Sequence, residues 1–195
     1  MKKFIAFTVI ACALFSACSE ETETFEEFPN WLAKNTAYFE KQYQAHEALN
    51  DGSILTTWTL DSIAAESAKH TECILIERLE QGQDTVSPFY TDTVTVHYSG
   101  RLLPSATHSA GYVFDQSFDE PFDSAVAVPT QFAVNNVVKG FSTALQHMHR
   151  GDRWRVTIPY QLGYGVVATS SIPAYSTLIF DIRLVDFWST KKGDR

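Results

Sequence analysis

The chain has 195 residues, 45% hydrophobic and 13% aromatic, which is ample for a packed core and excludes a wholly disordered protein. Its formal net charge is −8, and an acidic surface repels phosphate backbones, so no nucleic acid is expected as a partner. The three cysteines, Cys12, Cys18 and Cys73, show neither CxxC nor Cys/His spacing, which argues against a disulfide framework or a metal site.

The first residues read as an address. Met1-Lys2-Lys3 is basic, and residues 4–15 are apolar but too short for a membrane span of about 20 residues. The run ends in Leu14-Phe15-Ser16-Ala17-Cys18, where small residues before a cysteine resemble a bacterial lipoprotein cleavage site. Phe15 departs from the usual aliphatic residue there. This resemblance implies a signal peptide over 1–17, a lipidated Cys18 and a membrane partner through the lipid anchor. Two or more acyl chains would hold durably where one would not. An ordinary secretory signal and a retained helical anchor remain open. Loss of Lys2 and Lys3 with the leader would take the charge to −10. Ser19-Glu20-Glu21-Thr22-Glu23 is similar to the surface-export signal of Bacteroidetes-type lipoproteins, and a solvated spacer fits equally well. The expected location is the cell envelope, on the outer membrane, facing periplasm or surface.

Residues 18–29 read as a flexible acidic tether. Residues 30–70 read as an N-terminal helix and a connecting segment. The helix spans 30–49, with Trp31, Leu32, Tyr38, Phe39 and Tyr43 giving its apolar spacing, and Asn50-Asp51-Gly52-Ser53 stopping it. Residues 54–60 are strand-like, and 62–69 fit a helical turn or a loop. From Thr71 the period shortens. Strands are expected at 73–76, 93–98 (Val94, Val96 and Tyr98 on one face), 113–114, 131–134, 154–158 and 177–187, with long irregular stretches at 103–111 and 119–128. One helix over 137–148 carries Val138, Phe141, Leu145 and Met148 on a common face. The order predicts an α+β fold: an antiparallel sheet of about five strands wrapped around one short helix, within a domain over 71–188, followed by a polar tail over 189–195.

Six blocks in order carry a family resemblance. They are Val96-His97-Tyr98-Ser99-Gly100, Val113-Phe114-Asp115-Gln116-Ser117, Pro129-Thr130-Gln131-Phe132-Ala133-Val134, Val137-Val138-Lys139-Gly140-Phe141, Gly163-Tyr164-Gly165, and Ile172-Pro173 with Thr177-Leu178-Ile179-Phe180-Asp181. Together they resemble the FKBP-type peptidyl-prolyl cis-trans isomerases. The resemblance implies an apolar pocket lined by Tyr98, Phe114, Phe132, Val137, Val138, Phe141, Tyr164, Ile172 and Phe180, with Asp115 orienting the Tyr98 hydroxyl. The Val138 N–H would donate to a substrate carbonyl, and the Tyr164 hydroxyl would make a second hydrogen bond to the substrate. The implied partners are proline-containing, unfolded or partly folded polypeptides, and no cofactor or metal is implied. Some members dimerise through N-terminal helices; this helix is short, and a monomer is expected.

Three departures stand out. Phe141 occupies the place of the usual pocket Trp, the stretches before and after the Phe-Asp block are enlarged, and Thr130 replaces an aromatic some members carry, with Phe122 nearby. These leave open a non-catalytic chaperone or binding module, with an envelope scaffold as a third reading. Taken singly, each apolar residue also fits plain core, Asp115 a turn, and Cys73 a small buried residue. His147 and His149 point to different sides of a helix, and Arg150-Gly151-Asp152 sits where a helix-to-strand turn is expected.

Overall fold

The structure is a computed structural model and describes residues 26–189. The leader, Cys18, the tether before Glu26 and the tail beyond Ser189 lie outside the described residues. The first helix, α1 (Trp31–Leu49), is bracketed by Asn30 and Asn50, both in the left-handed conformation that asparagine tolerates at helix ends. Then come β1 (Ile54–Thr56), a short α2 (Ser62–Ala65), β2 (Cys73–Glu80), β3 (Asp92–Arg101), β4 (Val113–Gln116) and β5 (Thr130–Ala133). A single turn at Val134–Asn136 leads into α3 (Lys139–Leu145), followed by β6 (Arg153–Ile158) and β7 (Leu178–Ser189).

Every strand pairing is antiparallel, in the order β1-β2-β6-β7-β3-β4, with β5 also paired to β3. The expected α+β architecture is present, with seven strands rather than about five. The added strand β1 takes only three residues from the strand-like run, and pairing with β2 makes it part of the sheet. The central helix is shorter than 137–148. Val138 is still extended, at φ −58° and ψ 149°, and α3 begins at Lys139.

Alternation sorts the core. Val94, Val96 and Tyr98 of β3 and Leu178, Phe180, Ile182 and Leu184 of β7 are buried against Phe141, Ala144, Leu145 and Met148. Each such side chain contributes about 1.5–3 kcal/mol by leaving water. Gly140 lets α3 approach the sheet, since a Cβ there would fall inside the Ile158 side chain.

The N-terminal helix packs on the same body. Its buried residues are Trp31, Asn35 and Phe39, while Leu32, expected on the apolar stripe, stays exposed. Asn35 holds the middle position because its amide donates to the Trp31 carbonyl and its Oδ1 accepts from the Thr177 N–H at 2.7 Å. The Trp31 indole N–H donates to Ser176 Oγ at 2.8 Å. Ahead of the helix, Glu27 is fixed to the enlarged 103–111 stretch. Its carboxylate accepts from Ser105 Oγ at 2.5 Å, Thr107 Oγ1 at 2.8 Å and the Thr107 N–H at 3.2 Å. Those donors, Ser105 foremost, hold its pKa down at about 2.

Candidate functional site

Four strands, the central helix and two connecting segments converge on one hollow. The inner face of β3 supplies Tyr98, β4 supplies Asp115, β5 supplies Phe132, and β7 supplies Phe180. The turn into α3 adds Asn136, Val137 and Val138, α3 adds Phe141, and the segment after β6 adds Tyr164. They enclose about 290 Å³.

The walls are rings set edge to face. Phe141 lies with its centroid 5.0 Å from Phe180 and 6.2 Å from both Tyr98 and Phe132, and Tyr98 lies 5.4 Å from Phe132. Such pairs gain about 0.5–1.5 kcal/mol beyond area burial, which keeps the walls rigid. Phe141, Tyr98 and Phe180 are buried, whereas Tyr164 is 44% exposed, so it marks the mouth. Val138 precedes the first turn of α3, and an N–H there has no acceptor within the helix. It can therefore donate to a bound carbonyl.

Both phenols are held neutral. Burial first, then a hydrogen bond with Asp115, pushes the Tyr98 hydroxyl well above the usual tyrosine range. Burial and the Asp115 charge push Tyr164 up as well. A phenol whose folded-state pKa is raised stabilises the fold fully below its unfolded value of about 10 and loses that contribution as pH rises further. Urea midpoints are therefore expected to be flat from about pH 7 to 9 and to fall above about pH 10. Tyr38 is raised by burial too and shares in the fall. Tyr98→Phe is expected to make the fall shallower. An unchanged slope in that variant would contradict the assignment.

Eight of the ten residues expected at the site line this hollow: Tyr98, Asp115, Phe132, Val137, Val138, Phe141, Tyr164 and Phe180. Phe114 stands behind the wall, 5.5 Å from Phe180. Ile172 is buried in the core and borders a neighbouring cleft with Phe28, His108 and Tyr112. Asn136 was missed, and its place directly before Val137 in the strand-to-helix block was the available signal.

The enlarged stretches do not line the hollow. The 103–111 stretch is engaged with Glu27, and the Lys34 ammonium donates to the Pro104 carbonyl. Phe122 does not replace the missing pocket aromatic. It packs on the outer face of the sheet, 5.0 Å from His97 and under the Arg183 guanidinium at 4.5 Å. A larger hollow of about 870 Å³ opens on that outer face. Its floor is an ion-pair lattice in which Arg153 grips Asp181, Arg155 meets Glu77, Arg183 meets Glu80, and Arg101 meets Glu120. A wet, charged floor cannot desolvate an amide, whereas the smaller aromatic hollow offers apolar walls, and it is the candidate site.

Other sequence signals resolve into structure. Arg150 is tied to Asp84, Asp186 and the Phe187 carbonyl, and the buried Asp152 accepts from the Gly82 and His149 N–H groups. Neither end of the Arg-Gly-Asp tripeptide is thus free for a partner. The His147 ring faces the Thr143 carbonyl, while His149 faces Asp152. Cys73 is buried, and burial pushes its thiol up.

The chain is similar to known proteins. Residues 85–185 match the family model of FKBP-type peptidyl-prolyl cis-trans isomerases. The macrophage infectivity potentiator of Trypanosoma cruzi is 38% identical over 129 residues, covering 66% of this chain and 60% of that protein. The FKBP-type 22 kDa peptidyl-prolyl cis-trans isomerase of Escherichia coli K12 is 39% identical over 109 residues, 55% of this chain and 47% of that one. The chain thus spans about half to three-fifths of the length of these relatives. Among solved structures, FkpA from Escherichia coli superposes with a TM-score of 0.57 at 24% identity, over 82% of this chain and 62% of that one. An isomerase from Pseudomonas syringae gives 0.56 at 24%, over 84% and 98%. These two show the shared fold. With the family model spanning more than half of the sequence, the chain belongs to the FKBP-type peptidyl-prolyl cis-trans isomerase family.

Proposed function

We propose that the protein accelerates rotation about X–Pro bonds in exported, unfolded or partly folded polypeptides, using the aromatic hollow around Phe141 as its catalytic pocket. The observation that carries this reading is the set of edge-to-face rings closing on about 290 Å³, with the exposed Asp115 and Tyr164 beside them. An X–Pro bond rotates over a barrier of about 18–20 kcal/mol because amide resonance must be broken. The twisted transition state has lost its charge separation and is less polar than the planar amide. A pocket that strips water from the prolyl amide therefore favours the twisted form. A thousandfold gain needs only about 4 kcal/mol.

In this reading the prolyl ring sits among Tyr98, Phe132, Val137, Phe141 and Phe180. The Val138 N–H and Tyr164 hydroxyl anchor substrate carbonyls, and Asp115 orients the Tyr98 hydroxyl. Phe114 and Ile172 support the wall from behind. No proton moves, so no base, metal or covalent intermediate is required. The alternative, a non-catalytic chaperone or binding module, draws on Phe141 in place of Trp and on the two enlarged stretches; that no residue of 103–111 or 119–128 lines the hollow supports the enzyme reading over it. The envelope location rests on Cys18 as a lipidated N-terminus and the acidic residues after it. Among the described residues no helix is long and apolar enough to cross a membrane. A monomer is expected in solution, since the buried stripe of α1 is occupied by the body of the same chain.

The deciding experiment is a protease-coupled assay on a Leu-Pro peptide. Acceleration at catalytic, micromolar protein is expected; no acceleration would sink the reading.

A further inference from the structure

We propose, resting on the isomerase reading, that the first half of α1 is a positioning element of the pocket: Trp31 and Asn35 grip the segment between β6 and β7 and so hold Tyr164 at the mouth.

The grip is made of buried groups. The Trp31 indole N–H donates to Ser176 Oγ at 2.8 Å, and Ser176 Oγ donates in turn to the Pro173 carbonyl at 2.7 Å. Asn35 Oδ1 accepts from the Thr177 N–H at 2.7 Å, and the Asn35 carbonyl accepts from Thr177 Oγ1 at 3.4 Å. Asn35, Ser176 and Thr177 are all buried. Loss of one partner would therefore leave the other dry and unpaired rather than return it to water.

The hold passes to Tyr164 through Tyr175, the residue just before the gripped pair. Tyr175 sits at φ 64°, in the left-handed region. Among the described residues the other non-glycine members of that region are Asn30 and Asn50. Asparagine tolerates it and a bulky side chain does not, so a left-handed tyrosine persists only where its surroundings over-determine it. The Tyr175 N–H donates to the Gly165 carbonyl at 2.9 Å, and the Gly165 N–H donates to the Tyr160 carbonyl at 2.8 Å. The Tyr160 and Tyr175 rings meet edge to face at 5.3 Å. Tyr164 directly precedes Gly165 and lines the hollow, whereas residues 166–170 beyond it are exposed. The return leg through Tyr175 is thus what fixes the mouth. A hydroxyl that must meet a bound substrate needs such a fixed place.

The test begins with Trp31→Phe, which keeps a buried ring and removes the N–H. Efficiency on a Leu-Pro peptide should fall about fivefold, as a rise in KM with kcat nearly unchanged. In a Tyr164→Phe background, where the positioned hydroxyl is gone, Trp31→Phe should cost nothing further. Phe39→Leu is the control. Phe39 lies on the same buried stripe, but its ring meets His70. That variant should unfold at lower urea and keep its KM. An equal rise of KM in Phe39→Leu, or additive losses in the double variant, would overturn the proposal. The Tyr164 ring resonances give a reading that needs no activity. Shifts in Trp31→Phe and Ser176→Ala but not in Phe39→Leu are expected, and unmoved resonances would overturn the grip. Those shifts in a wild-type protein that accelerates nothing would uphold the grip and sink only the isomerase reading.

Discussion

Phe141→Ala is expected to lower the unfolding free energy by about 3–5 kcal/mol and to reduce isomerase efficiency by at least about a hundredfold. Phe141 is 3% exposed and stands in contact with Tyr98, Phe132 and Phe180, so truncation removes the floor and unlocks three neighbouring rings. The cavity also admits water, which restores solvation to the planar amide and removes the differential that drives catalysis. Urea unfolding reads the first effect and the peptide assay the second. Phe141→Trp, the usual family residue at this place, separates them: a flat apolar floor is kept, and activity should remain. Full activity in a folded Phe141→Ala protein would contradict the proposed role of the floor.

Gly100→Ala is the second large effect. A Cβ at this position would lie 2.5 Å from Cε1 of Phe180 and 2.7 Å from Cζ of Phe114. Both rings would have to move, and Phe180 is both a pocket wall and the partner of Phe141. Overpacking of this kind costs about 1–3 kcal/mol, and we expect catalytic efficiency to fall about tenfold. The test is thermal unfolding together with the peptide assay, each against Ser99→Ala. Ser99 is the buried preceding residue, and its hydroxyl has no hydrogen-bond partner among the described residues. Losses as small in Gly100→Ala as in Ser99→Ala would show that the rings tolerate displacement.

Much of the fold is legible because alternation is a local property. Val94, Val96 and Tyr98, and Leu178, Phe180, Ile182 and Leu184, declare their inward faces within a few residues. The central helix shows its apolar spacing, but its start does not, because Val137 and Val138 are apolar for the sake of the hollow rather than the helix. Strand β1 was ambiguous because three residues carry no readable period, and only pairing with β2 fixes them. The buried stripe of α1 takes in Asn35 and leaves Leu32 exposed, and a buried asparagine makes sense only once the distant Thr177 N–H is in place.

The candidate site shows in the sequence as ordered blocks, not as a local period. An aromatic in a strand looks the same whether it walls a pocket or fills a core, and Phe114 and Ile172 prove to stand behind or beside the hollow. Phe122 could not be placed because the stretch carrying it has no period. Its position over His97 depends on which face of the sheet that stretch crosses. Burial and the Arg183 charge hold the His97 pKa down, which fits a neutral ring beneath two phenylalanines.

The central claim is that a dry, ring-walled pocket lowers the barrier to amide rotation with no proton transfer. Its most direct test is NMR exchange of a Leu-Pro peptide with catalytic amounts of the protein, run in H2O and in D2O. The account predicts a strong acceleration of the same size in both solvents. No acceleration, or an acceleration that drops markedly in D2O, would contradict it.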